Sequence, residues 1–162
     1  MTVTINTDAS FHPTYKVGAY AFWIVWNGGR IIKSGSLKKA INPQDAELQC
    51  IANALHVLYS IGLEKIHHIY INTDCKHGIE AVTKGKKINK CDETVSHIKQ
   101  LIVNLNDKYG RHRDKNKYKQ FMSWRYVPAH TTGSTKRTWV NNRMDQLAKE
   151  ALWESINQSL KQ

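Results

Sequence analysis

The chain has 162 residues, 41% of them hydrophobic, which suffices for one domain whose core buries roughly two thirds of the unfolded surface. It contains no apolar run of about 18 residues, the length a membrane span needs. Its N-terminus, MTVTINTDAS, lacks the charged and apolar regions of a signal peptide, so the expectation is a soluble cytoplasmic protein and not a membrane or secreted one. Cys50, Cys75 and Cys91 are an odd number with no C-x-x-C pair, which argues against a disulfide framework or a zinc site and for a reducing compartment. Twenty-four Lys and Arg stand against 13 Asp and Glu, a formal charge of +11. That excess favours a polyanionic partner over plain solubility, because each phosphate neutralised releases condensed counterions.

The first third reads as a three-stranded antiparallel meander. Val3 to Asp8 is β-branched, and Val17 to Trp26 is apolar on both faces and therefore expected to be central. Asn27-Gly28-Gly29 then turns the chain into a third strand, Arg30 to Leu37. From Pro43 the apolar period becomes helical through Leu48, Ile51, Ala52, Leu55 and Leu58, and Gly62 ends that helix. His67 to Thr73 is a fourth strand, followed by a short helix from Lys76 to Val82. Asp92 is a possible cap for a helix striped by Val95, Ile98, Leu101, Ile102 and Leu105. The stretch 108 to 120, KYGRHRDKNKYKQ, has no apolar period and reads as an exposed loop. Phe121 to Pro128 is a fifth strand. A last helix from about Trp139 presents Val140, Met144, Leu147, Ala148 and Ala151 on one face. Strands first, then strands alternating with helices, indicate an α/β layered domain with a mixed sheet spanning residues 1–162.

Four carboxylates occupy positions that a purely structural account does not require. Asp8 ends the first strand, Glu47 lies near the start of the first long helix, Asp74 follows the fourth strand, and Asp145 shares a helix face with Asn141. Each has an ordinary alternative: turn former, dipole partner, N-cap, surface residue. Together, acids at strand ends and on facing helices form a hard-oxygen set suited to Mg²⁺, whose charge would offset their mutual repulsion.

The blocks T-D-A-S at 7–10, A-E-L-Q-C-I-A-N-A-L at 46–55, I-N-T-D at 71–74, V-P-A-H-T-T-G at 127–133 and N-N-R-M-D-Q-L-A-K-E-A at 141–151 resemble the type 1 ribonuclease H family in order and context, over nearly the whole chain. The resemblance implies a ribonuclease H-like fold with a five-stranded mixed sheet, three strands antiparallel and then two parallel, flanked by helices. It further implies catalytic, metal-holding acids at Asp8, Glu47, Asp74 and Asp145. The implied cofactor is two Mg²⁺ ions per site, with Mn²⁺ as an alternative. The implied activity is endonucleolytic cleavage of the RNA strand of RNA/DNA hybrids, with 3′-hydroxyl and 5′-phosphate products. His130 matches the family's loop histidine, which assists proton transfer or product departure. Asn141 and Ser10 match positions near the substrate, and Asn42 and Gln44, ahead of Glu47, are further candidates for substrate contact. A monomer acting on nucleic acid, with no membrane partner, is expected.

The chain departs from the family pattern in places. D-G-S is D-A-S here, so Ala9 can follow Asp8 only if its φ stays negative. FHPTYKVGA keeps Pro13 and Gly18 without the glycine-rich pattern, and N-P-Q-D lacks the usual Thr-Asn pair. A basic, Trp-rich protrusion is replaced by the short linker KGKKINK. Basic charge instead gathers at Lys84 to Lys90 and Lys108 to Lys119, where Arg111, Arg113, Lys115 and Lys117 are candidates to grip phosphates. Two competing readings are a catalytically weak binding module and a nuclease of the same fold with another duplex substrate. The acid quartet argues against the first, since a pure binder gains nothing from negative charge facing phosphate; fold alone leaves the second open.

Overall fold

The computed structural model describes residues 1–110, 121–128 and 136–162. Its elements are β1 (Thr2–His12), β2 (Val17–Trp26), β3 (Gly29–Leu37), α1 (Pro43–Ile61), β4 (His68–Thr73), α2 (Lys76–Lys84), α3 (Asp92–Tyr109), β5 (Met122–Tyr126) and α4 (Lys136–Leu160). The five strands form one mixed sheet in the order β3-β2-β1-β4-β5. β1, β2 and β3 pair antiparallel, and β4 joins β1 and β5 in parallel. This is the architecture expected from the sequence, with one adjustment: β2 is interior, but β1 holds the centre.

Period-two alternation assigns the two sheet faces. Val3, Ile5, Phe22, Ile24, Ile69 and Ile71 are buried in a core shared with Leu48, Ile51, Leu55 and Leu58 of α1 and Ile98, Leu101 and Leu105 of α3. The opposite face of β2 carries Ala19 and Ala21, small enough for α4 to lie close. Leu152 and Ile156 pack on Ala19, and Met144 and Ala148 on Ala21. A strand covered by helices on both sides has no solvent face, which explains why β2 is apolar throughout.

Element ends differ from the sequence reading where hydrogen bonding overrides composition. β1 runs on to His12 because Ser10, Phe11 and His12 continue the hairpin ladder opposite Ala19, Gly18 and Val17. Asp92 is the first residue of α3 and does not cap it; Cys91 holds the cap position without a side-chain bond. Lys108 and the buried Tyr109 belong to α3 and not to a loop; residues 111–120 of that basic stretch lie outside the described residues. α4 begins at Lys136, a turn before its apolar stripe. Gly62 closes α1 in the left-handed conformation, φ 75°. Among the described residues no helix is long and apolar enough to cross a membrane.

The start of α1 is fixed by Asp45, a charged side chain only 3% exposed. Its carboxylate accepts from Ile41 N–H (3.2 Å), Gln49 Nε2 (2.7 Å) and Thr94 Oγ1 (2.8 Å), tying α1 to α3. Asn42 caps the helix by accepting from Asp45 N–H at 2.7 Å. Replacing Asp45 with Ala strands three donors and is expected to cost about 2–4 kcal/mol by urea unfolding, against about 1 kcal/mol for Thr94→Val. A loss below about 0.5 kcal/mol for Asp45→Ala would show that the bonds contribute nothing net.

Candidate active site

Three of the four singled-out acids converge. β1 and β4 run parallel with Ile5 opposite Ile71 and Asn6 opposite Asn72, so Asp8, still paired within β1, and Asp74, one residue past the end of β4, come to lie side by side. α1 brings Glu47 to the same point. Asp8, Glu47 and Asp74 each offer an oxygen within 4.8 Å of the others. Asp8 is 4% exposed, while Glu47 and Asp74 are half-buried.

One backbone donor serves two of them: Ala9 N–H bonds Asp8 Oδ1 at 3.0 Å and Glu47 Oε1 at 3.1 Å. Ala9 takes this position without positive φ, so the Ala in D-A-S is compatible with the strand. The second oxygen of Glu47, Oε2, is buried without a hydrogen-bond partner among the described residues. Beneath the cluster Cys50 Sγ donates to the carbonyls of Asp8 and Ala21, both at 3.3 Å, which fixes the strand ends from below.

Asp145 stands apart from the tight group. It sits on α4 with Oδ2 held by Lys149 Nζ at 2.8 Å, an i,i+4 ion pair on an exposed face. Its charge still reaches the cluster. Burial, then Asp74, then Asp145 push the Asp8 carboxyl up to about 8, against a smaller lowering from the Ala9 N–H. Burial, followed by the charges of Asp8 and Asp74, raises Glu47 well above the usual carboxylate range. Desolvation and like charge both penalise ionisation.

The other candidates scatter. Ser10 is half-buried on β1, on the sheet face that carries Asp8, and Asn141 is buried on α4 one turn before Asp145. Gln44 is exposed in the first turn of α1. Asn42 caps α1 through its side-chain oxygen and donates Nδ2 to Asn89 O at 3.4 Å. His130, Arg111, Arg113, Lys115 and Lys117 lie outside the described residues.

Besides the Lys149 partner of Asp145, two features escaped the sequence reading. One is the Asp45 cap network. The other is a signal in plain view: the tetrapeptide Ile-Asn-Thr-Asp occurs twice, at residues 5–8 and 71–74, on the two strands that pair in register. The isoleucines enter the core, the acids end at the site, and the asparagines join, Asn72 Nδ2 donating to Asn6 Oδ1 at 2.8 Å.

The donor set fits a divalent cation of the hard class. Among the described residues oxygen ligands alone converge, one buried carboxylate oxygen has no partner, and burial together with like charge pushes two carboxyls toward protonation.

A family model described as RNase H matches residues 1–153. No curated protein sequence matches the chain significantly. Among solved structures it is similar to RNase H1 from the halophilic archaeon Halobacterium salinarum NRC-1, at 18% identity, covering 95% of this chain and 99% of that one with a TM-score of 0.69. It is also similar to the N-terminal RNase H domain of rv2228c from Mycobacterium tuberculosis, at 14% identity, 98% of each chain and a TM-score of 0.70. A third is LC11-RNase H1 in complex with RNA/DNA hybrid, at 14% identity, 95% of this chain, 99% of that one and a TM-score of 0.68. These structural likenesses concern the fold.

The crowding of charge yields a stability prediction with a definite sign. Asp8 has its folded value raised from 3.8 to about 8, so the native state favours its protonated form. That contribution is fully present below about pH 4 and is lost as pH rises toward 8. In EDTA, wild type should therefore lose stability across this window relative to Asp8→Asn, leaving the variant more stable at pH 8 by roughly 2–4 kcal/mol. Parallel melting curves for the two proteins from pH 4 to 8 measure this, and coincident curves would show that ionising Asp8 in the folded protein carries no penalty.

Proposed function

This chain belongs to the RNase H family, and we propose that it is an endonuclease that cleaves the RNA strand of RNA/DNA hybrids by two-metal-ion hydrolysis, giving 3′-hydroxyl and 5′-phosphate ends. The observation that carries this reading is the convergence of Asp8, Glu47 and Asp74 within 4.8 Å in a chain of net charge +11. A protein that merely binds polyanions gains nothing from three acids at one point. The structural neighbour solved with an RNA/DNA hybrid supports the substrate class.

Asp8, Glu47 and Asp74 would hold the ions, with Asp145 completing the set once it exchanges Lys149 for metal. Mg²⁺ suits this all-oxygen set, and Mn²⁺ belongs to the same class. When bound, such ions supply Lewis acidity that activates water and neutralises charge on the phosphate. The chain's own residues do the rest. Ala9 N–H orients the Asp8 and Glu47 carboxylates. Ser10 and Asn141 flank the acids from β1 and α4 as hydrogen-bonding groups toward the substrate. His130 moves a proton or eases product departure, and Arg111, Arg113, Lys115 and Lys117 grip phosphates. The hybrid is read by backbone geometry and 2′-hydroxyls and not by base sequence. We further propose that the enzyme works as a single-domain monomer in the cytoplasm, a reducing compartment suited to its three free, buried cysteines.

Matched RNA/DNA, RNA/RNA, DNA/DNA and single-stranded substrates, with and without Mg²⁺, test the reading: only the hybrid should be cut, and only with metal. Asp74→Asn should lower cleavage on the order of a thousandfold while hybrid binding persists, because the amide keeps the shape and loses the charge. Cleavage by wild type in excess EDTA would refute the metal assignment.

His130→Ala should slow turnover by about a hundredfold, up to ten-thousandfold, without weakening metal binding. If the imidazole serves product departure, multiple-turnover rates fall further than single-turnover rates. Wild-type kinetics in this variant would leave His130 no part in turnover.

A further inference from the structure

The sheet face that carries Asp8 and Asp74 continues beyond them into a cavity of about 560 Å³, lined in part by Asn6, Asn72, Arg125, Lys136, Val25 and Val140. Its size falls within the range of about 300–1,000 Å³ typical of small-molecule sites. The two asparagines sit one side-chain repeat back from the acids, about 7 Å along the strands, so the cavity shares no residue with the carboxylate cluster.

Three observations say what it would hold. First, Arg125 and Lys136 face the cavity, and neither makes an ion pair among the described residues. Second, the Arg125 guanidinium lies over the Tyr70 ring, 3.5 Å from its centroid. Stacking fixes the plane of the fork and leaves its N–H edge for an anion. Third, Asn72 is 4% exposed and its Oδ1 has no hydrogen-bond partner among the described residues, although its Nδ2 is taken by Asn6. A buried acceptor without a donor is costly and calls for an O–H or N–H from a ligand. The walls of Val25 and Val140 add an apolar surface.

We propose that this cavity is a second, non-catalytic ligand site for a phosphorylated nucleoside. Arg125 and Lys136 take the phosphate, the Asn72 carbonyl takes a sugar hydroxyl or a base N–H, and the valines cover the remainder. The ligand must combine an anion with a neutral donor a few ångströms away, which excludes inorganic phosphate and simple carboxylates as the preferred occupant. A free mononucleotide and the phosphorylated end of a nucleic-acid strand present the same chemistry.

The test uses the full chain, isotope-labelled, in EDTA so that divalent metal cannot recruit phosphate to the acids, and it needs no cleavage readout. Adenosine 5′-monophosphate, adenosine and inorganic phosphate are titrated while the side-chain amide signals of Asn6 and Asn72 and the Arg125 Nε signal are followed by NMR. Saturable shifts at these groups are expected with the nucleotide. Adenosine alone, inorganic phosphate alone, and the nucleotide with Arg125→Gln should each bind about tenfold or more weakly. Lys136→Gln, at an exposed position, should weaken binding in the same direction and guards against misfolding of the Arg125 variant. An RNA hexamer carrying a 5′-phosphate, compared with its 5′-hydroxyl form, separates the sources: tighter binding than the mononucleotide assigns a strand end, weaker binding a free nucleotide. No shift up to about 10 mM nucleotide, shifts confined to the acid cluster, or equal affinity for inorganic phosphate would each overturn the proposal.

Discussion

Everything at the site depends on one register. β1 and β4 are parallel neighbours, and Ile5 faces Ile71 while Asn6 faces Asn72. Parallel strands emerge from the sheet at the same end, so an acid two residues beyond each asparagine must appear beside its counterpart. An antiparallel pairing would send the two acids to opposite ends of the sheet. A slip of one residue would exchange the faces, turning Asn72 and Asp74 toward the core and Ile71 and Thr73 toward α4. The isoleucines, both fully buried, guard against that slip, and the Asn6–Asn72 amide bond reinforces it from the other face.

Holding three carboxylates together opposes folding, and the surrounding structure offsets it locally. The backbone N–H of Ala9 is shared between Asp8 and Glu47, and the Asp45 network anchors the helix turn that carries Glu47. Lys149 neutralises Asp145, so the fourth acid adds less to the repulsion than its proximity alone would. Among the described residues, burial and the neighbouring acids, and no lysine or arginine, are the leading causes that raise Asp8 and Glu47.

Much of this was legible in the sequence, for reasons that differ by element. β2 could be bounded correctly because Asn27-Gly28 turns the chain at its end, and α1 because Pro43 and Gly62 punctuate a clear helical period. The convergence of Asp8, Glu47 and Asp74 followed from strand ends plus a family pattern. The capping role of Asn42 was readable locally, since an Asn before a Pro at a helix start is a cap. The Lys149 partner of Asp145 was readable at i+4 and was missed. Asp45 is a different case. Its role depends on Thr94, 49 residues away, and no local pattern announces such a contact. Apolar period gave no purchase on the basic stretch between α3 and β5.

The order of the chain gives the site a history as well as a shape. β1, β2 and β3 can zip as adjacent hairpins, but β1 meets β4 only across some 65 intervening residues, and α4 closes over β1 and β2 from the far end of the chain. Contacts of such sequence separation form late, after the entropy of the long loop has been overcome. The early meander therefore carries Asp8 without its rivals and feels no repulsion. Electrostatic conflict begins when α1 brings Glu47 to Asp8 and grows when β4 adds Asp74. Ions that bind the finished site act on the native basin and leave the nucleus untouched, so their effect falls on the rate of unfolding and not on the rate of folding.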